Sequence, residues 1–164
     1  MGPLKAIEAK ITELEPLLLK RKSWELLGKR VVFTNGCFDL MHRGHVDYLA
    51  RAKGEGDILI VGINSDASIS DLKGPSRPIA PLESRQLVMA SLHAVDVVIP
   101  FEEETPIELI KAISPDVLVK GSDYSPEEVV GGDWVTSHGG KLVLIPFVDG
   151  FSTSQLIEKI KQDG

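Results

Sequence analysis

Five short apolar runs constrain this chain more than any other feature. They are RVVF at 30–33, DILIVGIN at 57–64, VDVVIPF at 95–101, DVLVKG at 116–121 and KLVLIPF at 141–147. Each is continuous rather than alternating, which predicts strands buried on both faces. Stretches with helical spacing separate them. Strands and helices in alternation predict an α/β, doubly wound parallel sheet with helices on both sides. Ligands of such sheets sit beyond the carboxyl ends of the strands, where the strand order reverses.

The intervening segments carry helix signals. HVDYLARAK has Val46, Leu49 and Ala50 at helical spacing, and SQLIEKI closes the chain as a helix. After a basic loop, LKGPSRPIA, the segment PLESRQLVMASLH opens with Pro81 in its first turn and repeats Leu82, Leu87, Val88 and Leu92. Thr105, Pro106 and Glu108 read as cap, first and third residues of a helix holding Ile107, Leu109, Ile110 and Ile113. Ser125, Pro126 and Glu128 repeat that start, and Gly139-Gly140 stops the helix they open. In residues 1–30, Leu4, Ile7, Ile11, Leu14 and Leu18 share one helical face, and Thr12 with Glu15 forms a capping box for a second helix. These residues are expected to form a helical arm packed on a domain of residues 31–164.

At 164 residues the chain is long enough for one domain with a full core. A net charge of -6 argues against nucleic acid, which needs a basic footprint, but not against a small phosphorylated ligand. A lone cysteine, Cys37, allows no internal disulfide and suits a reducing compartment. No apolar run approaches the ~20 residues of a membrane helix, and MGPLKAIEAK has no signal-peptide core. The expectation is a cytoplasmic protein with no membrane partner.

The first strand runs into TNGCFDLMHRGH, residues 34–45. A helix beginning near Arg43 would turn His42 and His45 to the same side. Its N-terminus offers free N–H groups and the positive end of the dipole. Gly44 lets the backbone come close and Gly36 frees the turn. Two imidazoles with that terminus can hold a phosphate. The stretch is neither a Walker A loop nor a G-x-G-x-x-G turn. Zinc is possible in principle for two histidines, but no cysteine pair or further histidine nearby completes a tetrahedral set. On spacing alone, a phosphate site and ordinary histidines both stay open.

GCFDLMHRGH resembles the G-x-F-D-x-x-H-x-G-H signature of the cytidylyltransferase-like nucleotidyltransferase superfamily. INSDASISDLKGPSRPI, LHAVDVVIPFEEETPIELI, PDVLVKGSDY and GFSTSQLIEKI resemble, in order, the adenylyltransferase domains of the bacterial ADP-heptose synthase family. The likeness covers about residues 10 to 163, and the expectation is the stand-alone form of the adenylyltransferase, without that family's sugar kinase domain. It implies a Rossmann-like five-stranded sheet of order 3-2-1-4-5. It implies transfer of AMP from ATP to D-glycero-D-manno-heptose 1-phosphate, giving ADP-heptose and pyrophosphate, with Mg²⁺ carried by ATP and a homodimer as the working unit. The acceptor phosphate is already a nucleophile, so alignment and charge neutralisation suffice.

By the same resemblance, His42, His45 and Lys73 are catalytic, and Arg77 shares the task of Lys73. Thr34, Asn35, Gly36, Cys37, Phe38, Asp39 and Gly44 lie at the nucleotide with the two histidines. Lys120, Gly121, Ser122, Asp123 and Tyr124 lie at the base and ribose, and Ser152, Thr153 and Ser154 at the triphosphate. Asn64 and Asp66 are expected at the sugar phosphate with Lys73 and Arg77. Asp39 reads equally well as a brace of its own turn, Arg85 as a bracing or interface ion pair, and His93 as structural. Three departures stand out: Phe147 occupies a position where related cytidylyltransferases have arginine, Cys37 replaces a threonine, and Ser154 replaces the second threonine of S-T-T. The alternative within enzymes is a cytidylyltransferase acting on glycerol 3-phosphate or a similar polyol phosphate. The alternative outside them is a silent nucleotide-binding module.

Overall fold

The computed structural model describes residues 2–148, 150 and 153–162. Strands β1 (Val31–Gly36), β2 (Ile58–Asn64), β3 (Val97–Phe101), β4 (Val117–Gly121) and β5 (Lys141–Ile145) form one parallel sheet of order 3-2-1-4-5. The order reverses at β1, which pairs with both β2 and β4. That is the expected architecture, and each expected strand is present.

Successive strand residues enter opposite cores. Val32, Leu59, Val61 and Ile63 join Leu49 and Met89 on one face. Val31, Phe33 and Ile60 join Ile110, Ile113 and Val135 on the other. Burial on both faces is why these runs are unbroken by polar residues. The first face is covered by α3 (Arg43–Lys53) and α5 (Leu82–Ser91), the second by α6 (Ile107–Ile113) and α7 (Gly132–Ser137).

The first thirty residues differ from the expected single apolar face. They form α1 (Pro3–Glu8) and α2 (Leu14–Leu26), with a break between. In the break Ile11 makes a parallel bridge with Val98, so this segment covers the outer edge of β3. The Thr12–Glu15 capping box does not form: Glu13 is the N-cap of α2, and the Thr12 hydroxyl donates to the Glu13 carbonyl. Leu17, not Leu18, is the fully buried residue of α2 and belongs to the second core.

Four other helix readings shift. In α3, Tyr48, Leu49 and Ala52 are buried while Val46 and Ala50 are exposed. In α5 the buried residues are Arg85, Gln86, Met89 and Ala90, while Leu87 and Val88 are largely exposed. Ser125, Pro126 and Glu128 cap only a 3-10 turn, Pro126–Glu128, before α7 begins. Pro106, not Thr105, is the N-cap of α6. One helix was missed: α4 (Asp66–Lys73) occupies what read as a strand end running into a loop. The last helix, α8, spans Thr153–Gln162. Among the described residues, no helix is long and apolar enough to cross a membrane.

Candidate active site

β1 ends where the sheet order reverses, and the chain turns sharply there. Phe38 holds a left-handed backbone, φ 45°. For an aromatic residue this is strained by on the order of 1–3 kcal/mol, and such strain clusters at functional sites. Its ring lies over Gly36, where an added Cβ would stand 3.1 Å from it. The other side of Phe38 meets the His45 ring edge-on, with centroids 5.4 Å apart.

His42 is the N-cap of α3 in extended backbone, and His45 sits in the first turn. Their rings stack at 3.8 Å with an interplanar angle of 25°. The helix geometry inferred from spacing is therefore present, with Gly44 buried between the two histidines. Nδ1 of His45 is buried without a hydrogen-bond partner. Burial, then the fields of His42 and Lys73, pull His45 down to a pKa of about 4. Burial lowers His42 as well. At neutral pH the pair is uncharged, and an anion placed against it would raise both values.

His45 lines a cavity of about 540 Å³ at the carboxyl end of the sheet. Lys73, the last residue of α4, lines it too, with Gly74 beside it at φ 94°. Arg77 also reaches the cavity. Its Nε donates to Asp39 Oδ2 at 2.6 Å, while its buried Nη2 has no hydrogen-bond partner. The Asp39 carboxylate also accepts from the amides of Ile79 at 2.8 Å and Ala80 at 2.9 Å. Asp39 thus braces the 77–80 segment and not its own turn. Burial alone would raise Asp39. The Ala80 and Ile79 amides and the Arg77 guanidinium together outweigh that and hold its pKa below the ordinary value.

Arg85 is a fold brace, 2% exposed. It donates to the carbonyls of Ala80, Cys37 and Asn64 and to Asp66 Oδ1 at 2.7 Å, joining the ends of β1 and β2 to the loop before α5. Asp66 is therefore turned to Arg85 and to the Leu82 amide, and it does not line the cavity. Asn64 does line it. Its amide donates to Ser68 Oγ at 3.0 Å. Thr34 is fully buried below the cavity, with its hydroxyl 2.8 Å from the Tyr48 hydroxyl. His93 lies outside the cavity lining.

On the far side of β1, Lys120 Nζ donates to Asn35 Oδ1 at 2.5 Å. Burial lowers its pKa to about 8 against the opposing fields of Asp123 and Cys37. Asn35, Gly36 and Cys37 line the cavity from β1, and Gly121, Asp123 and Tyr124 from β4 and its exit. A Cβ on Gly121 would overlap the Phe147 ring and come within 2.6 Å of Asp123 Oδ1, so only glycine lets Phe147 lie there. Thr153 lines the cavity at the start of α8, its hydroxyl donating to the Leu40 carbonyl at 3.3 Å. Ser152 lies outside the described residues, and α8 is described at Ser154 by its backbone alone.

Sequence reasoning assigned no role to several wall residues. Phe147 was noticed only as the occupant of an arginine position, yet its ring lines the cavity and tilts against Tyr48 with centroids 5.5 Å apart. Glu104, Thr105 and Pro106 also line the wall; the F-x-E-x-T-P pattern of residues 101–106 was a signal for Thr105 and Pro106, while Glu104 falls on an unspecified place in it.

A doubly wound sheet with paired imidazoles and a helix N-terminus at its switch point is built to hold phosphates. The chain belongs to the cytidylyltransferase-like family, which it matches over residues 33–141. It is 54% identical over 151 residues to a protein named bifunctional protein HldE from Methylobacillus flagellatus, covering 92% of this chain and 31% of that one. It is 59% identical over 133 residues to a protein of the same name from Trichlorobacter lovleyi, covering 81% and 27%. The chain thus spans about a third of the length of these relatives. A crystal structure described as the lipopolysaccharide core biosynthesis protein from Thermoplasma volcanium superposes with a TM-score of 0.63 at 28% identity, covering 74% of this chain and all of that one.

Proposed function

We propose that the chain transfers the adenylyl group of MgATP to D-glycero-D-manno-heptose 1-phosphate, releasing pyrophosphate and forming ADP-heptose for a lipopolysaccharide or surface-glycan pathway. An oxygen of the sugar phosphate attacks the α-phosphorus. The bond from that phosphorus to the bridging oxygen breaks, and pyrophosphate leaves. The observation that carries this reading is the His42–His45 stack at the N-terminus of α3, of which His45 shares a cavity with Lys73. Neutral imidazoles donate N–H groups to phosphate oxygens, and Lys73 and Arg77 add positive charge where negative charge grows. The structural neighbour, described as a lipopolysaccharide core biosynthesis protein, supports the choice of a lipopolysaccharide sugar. Mg²⁺ enters as part of the nucleotide substrate. A cytoplasmic homodimer belongs to the same reading, and sedimentation measures the dimer.

Pyrophosphate release tests the reaction directly. ATP with heptose 1-phosphate is expected to be turned over far faster than CTP with glycerol 3-phosphate. A clear preference for CTP overturns the reading. The pH profile tests Lys120. Its pKa of about 8 predicts that kcat/KM for ATP falls as pH rises through that value, because the nucleotide then meets an uncharged amine. Lys120→Arg keeps its charge and should remove that alkaline limb. An unchanged limb would take Lys120 out of nucleotide binding.

A further inference from the structure

The stretch FEEETP, residues 101–106, leads from β3 to α6 and takes no part in the chemistry described so far. Register sets Asn64 of β2 beside Phe101 of β3, and the Ser65 amide donates to the Phe101 carbonyl at 2.9 Å. The segment leaving β3 therefore starts beside the carboxyl end of β2. Glu104, Thr105 and Pro106 line the same cavity as Asn64 and Lys73.

The strand order spreads that cavity into two ends. Over β4 and β5 lie Lys120, Gly121 and the Phe147 ring. Asn64 ends β2, and Glu104 and Thr105 lie in the segment that follows β3. His45 follows β1, between them. The two ends differ in chemistry. The first offers an aromatic face, an ammonium group and the carboxylates of Asp123 and Glu128, the latter accepting from Ser125. The second offers a carboxylate, a hydroxyl and an amide. Glu104 is exposed, and its carboxylate has no hydrogen-bond or ion-pair partner among the described residues. A bare carboxylate repels a polyphosphate. It is well suited to hydroxyl groups, which donate to it in charge-assisted hydrogen bonds.

We propose that Glu104 and Thr105 form the specificity subsite for the hydroxyl groups of the phosphorylated acceptor, while the nucleotide base lies at the opposite, Phe147 end. The acceptor phosphate then falls between the ends, against Lys73 and the unpartnered Nη2 of Arg77, facing the α-phosphorus beside His45. This subsite rests on the adenylyl-transfer reading and adds to it how a polyhydroxylated acceptor is told from a plain phosphate.

The test uses Glu104→Ala and Glu104→Gln in the full chain. ATP binding is measured by calorimetry without acceptor, and steady-state kinetics are run with heptose 1-phosphate. Glu104→Ala should raise KM for the sugar phosphate about tenfold or more, as expected for loss of a charge-assisted hydrogen bond. Glu104→Gln keeps an acceptor oxygen and should raise it less. The ATP dissociation constant should not move. An unchanged KM for the sugar phosphate overturns the subsite. So does a loss of ATP affinity, which would assign this end to the nucleotide. If the unaltered protein releases no pyrophosphate with any acceptor, the adenylyl-transfer reading falls. The subsite is then judged by direct binding of heptose 1-phosphate to the unaltered and Glu104→Ala proteins: equal affinity overturns it, and weaker binding by the variant supports it.

Discussion

Replacing His45 by Ala is expected to lower the rate of pyrophosphate release by at least about 10²–10³-fold, the usual effect of removing a donor aimed at developing charge. The fold should survive. His45 lies in the first turn of α3, touches the rings of His42 and Phe38, and its Nδ1 holds nothing in place. Circular dichroism and a thermal melt would check this beside the assay, and retained turnover in a folded variant would remove the central catalytic claim. The same residue predicts an acid dependence of stability. In the folded protein its pKa is about 4, against an ordinary value of 6.5. Between those values the unfolded chain binds a proton that the folded protein refuses. Stability therefore falls as pH drops from about 6.5 to about 4. A His45→Asn variant should lose less stability over that interval, and an unchanged slope would assign it to other groups.

Replacing Asp39 by Ala should have the largest effect on stability. Asp39 is 5% exposed, and it holds the 77–80 segment through Arg77 Nε and the Ile79 and Ala80 amides, beside the bonds from Ser70 Oγ to the Arg77 carbonyl and from Arg85 Nε to the Ala80 carbonyl. Its loss leaves a largely buried guanidinium and two amides without their acceptor. Breaking a buried pair from one side costs about 3–5 kcal/mol. For a chain of this size that lowers Tm by about 6–20 °C. Activity should fall as well, because the segment carries Arg77 into the cavity and is separated from Lys73 only by Gly74, Pro75 and Ser76. The lowered pKa sets the sign of the pH effect. Asp39 stabilises the fold above its ordinary value of 3.8, and that contribution is lost as pH falls through the lower folded value. A scanning melt of Asp39→Ala and Asp39→Asn checks the magnitude, and a loss below about 1 kcal/mol would show that the clamp is dispensable.

How legible each part was depended on the range of the interaction behind it. β1, β2, β3, β4 and β5 were readable because burial on both faces leaves a continuous apolar run in the chain itself. The His42–His45 stack was readable because a separation of three residues fixes two side chains on one side of any helix that starts near Arg43. α4 was not readable, because only Ser68 and Ile69 of its eight residues are buried and no apolar stripe marks it. The inward face of α5 was misread for a related reason. Periodicity favours Leu87 and Val88, but Arg85 is the residue taken inside, where three carbonyls and Asp66 satisfy its guanidinium.

The partners of Asp39 stand 38 to 41 positions away, and no local rule connects them. Gly121 and Phe147 likewise meet only because β4 and β5 pair in register. The amino-acid sequence by itself determined the buried strands alternating with helices and the paired histidines after β1, since each follows from burial or helix geometry between near neighbours; the strand order that makes β1 the switch point lies in the pairing of β1 with β2 and β4. Only the tertiary structure decided which charged groups brace the fold and which line the cavity. Asp39, Asp66 and Arg85 were drawn into the frame, Asp39 lining the cavity as well, while Lys73 and Glu104 were left at the cavity wall. The physical reason is that a charged side chain's role depends on which carbonyls, amides and counter-charges folding carries to it.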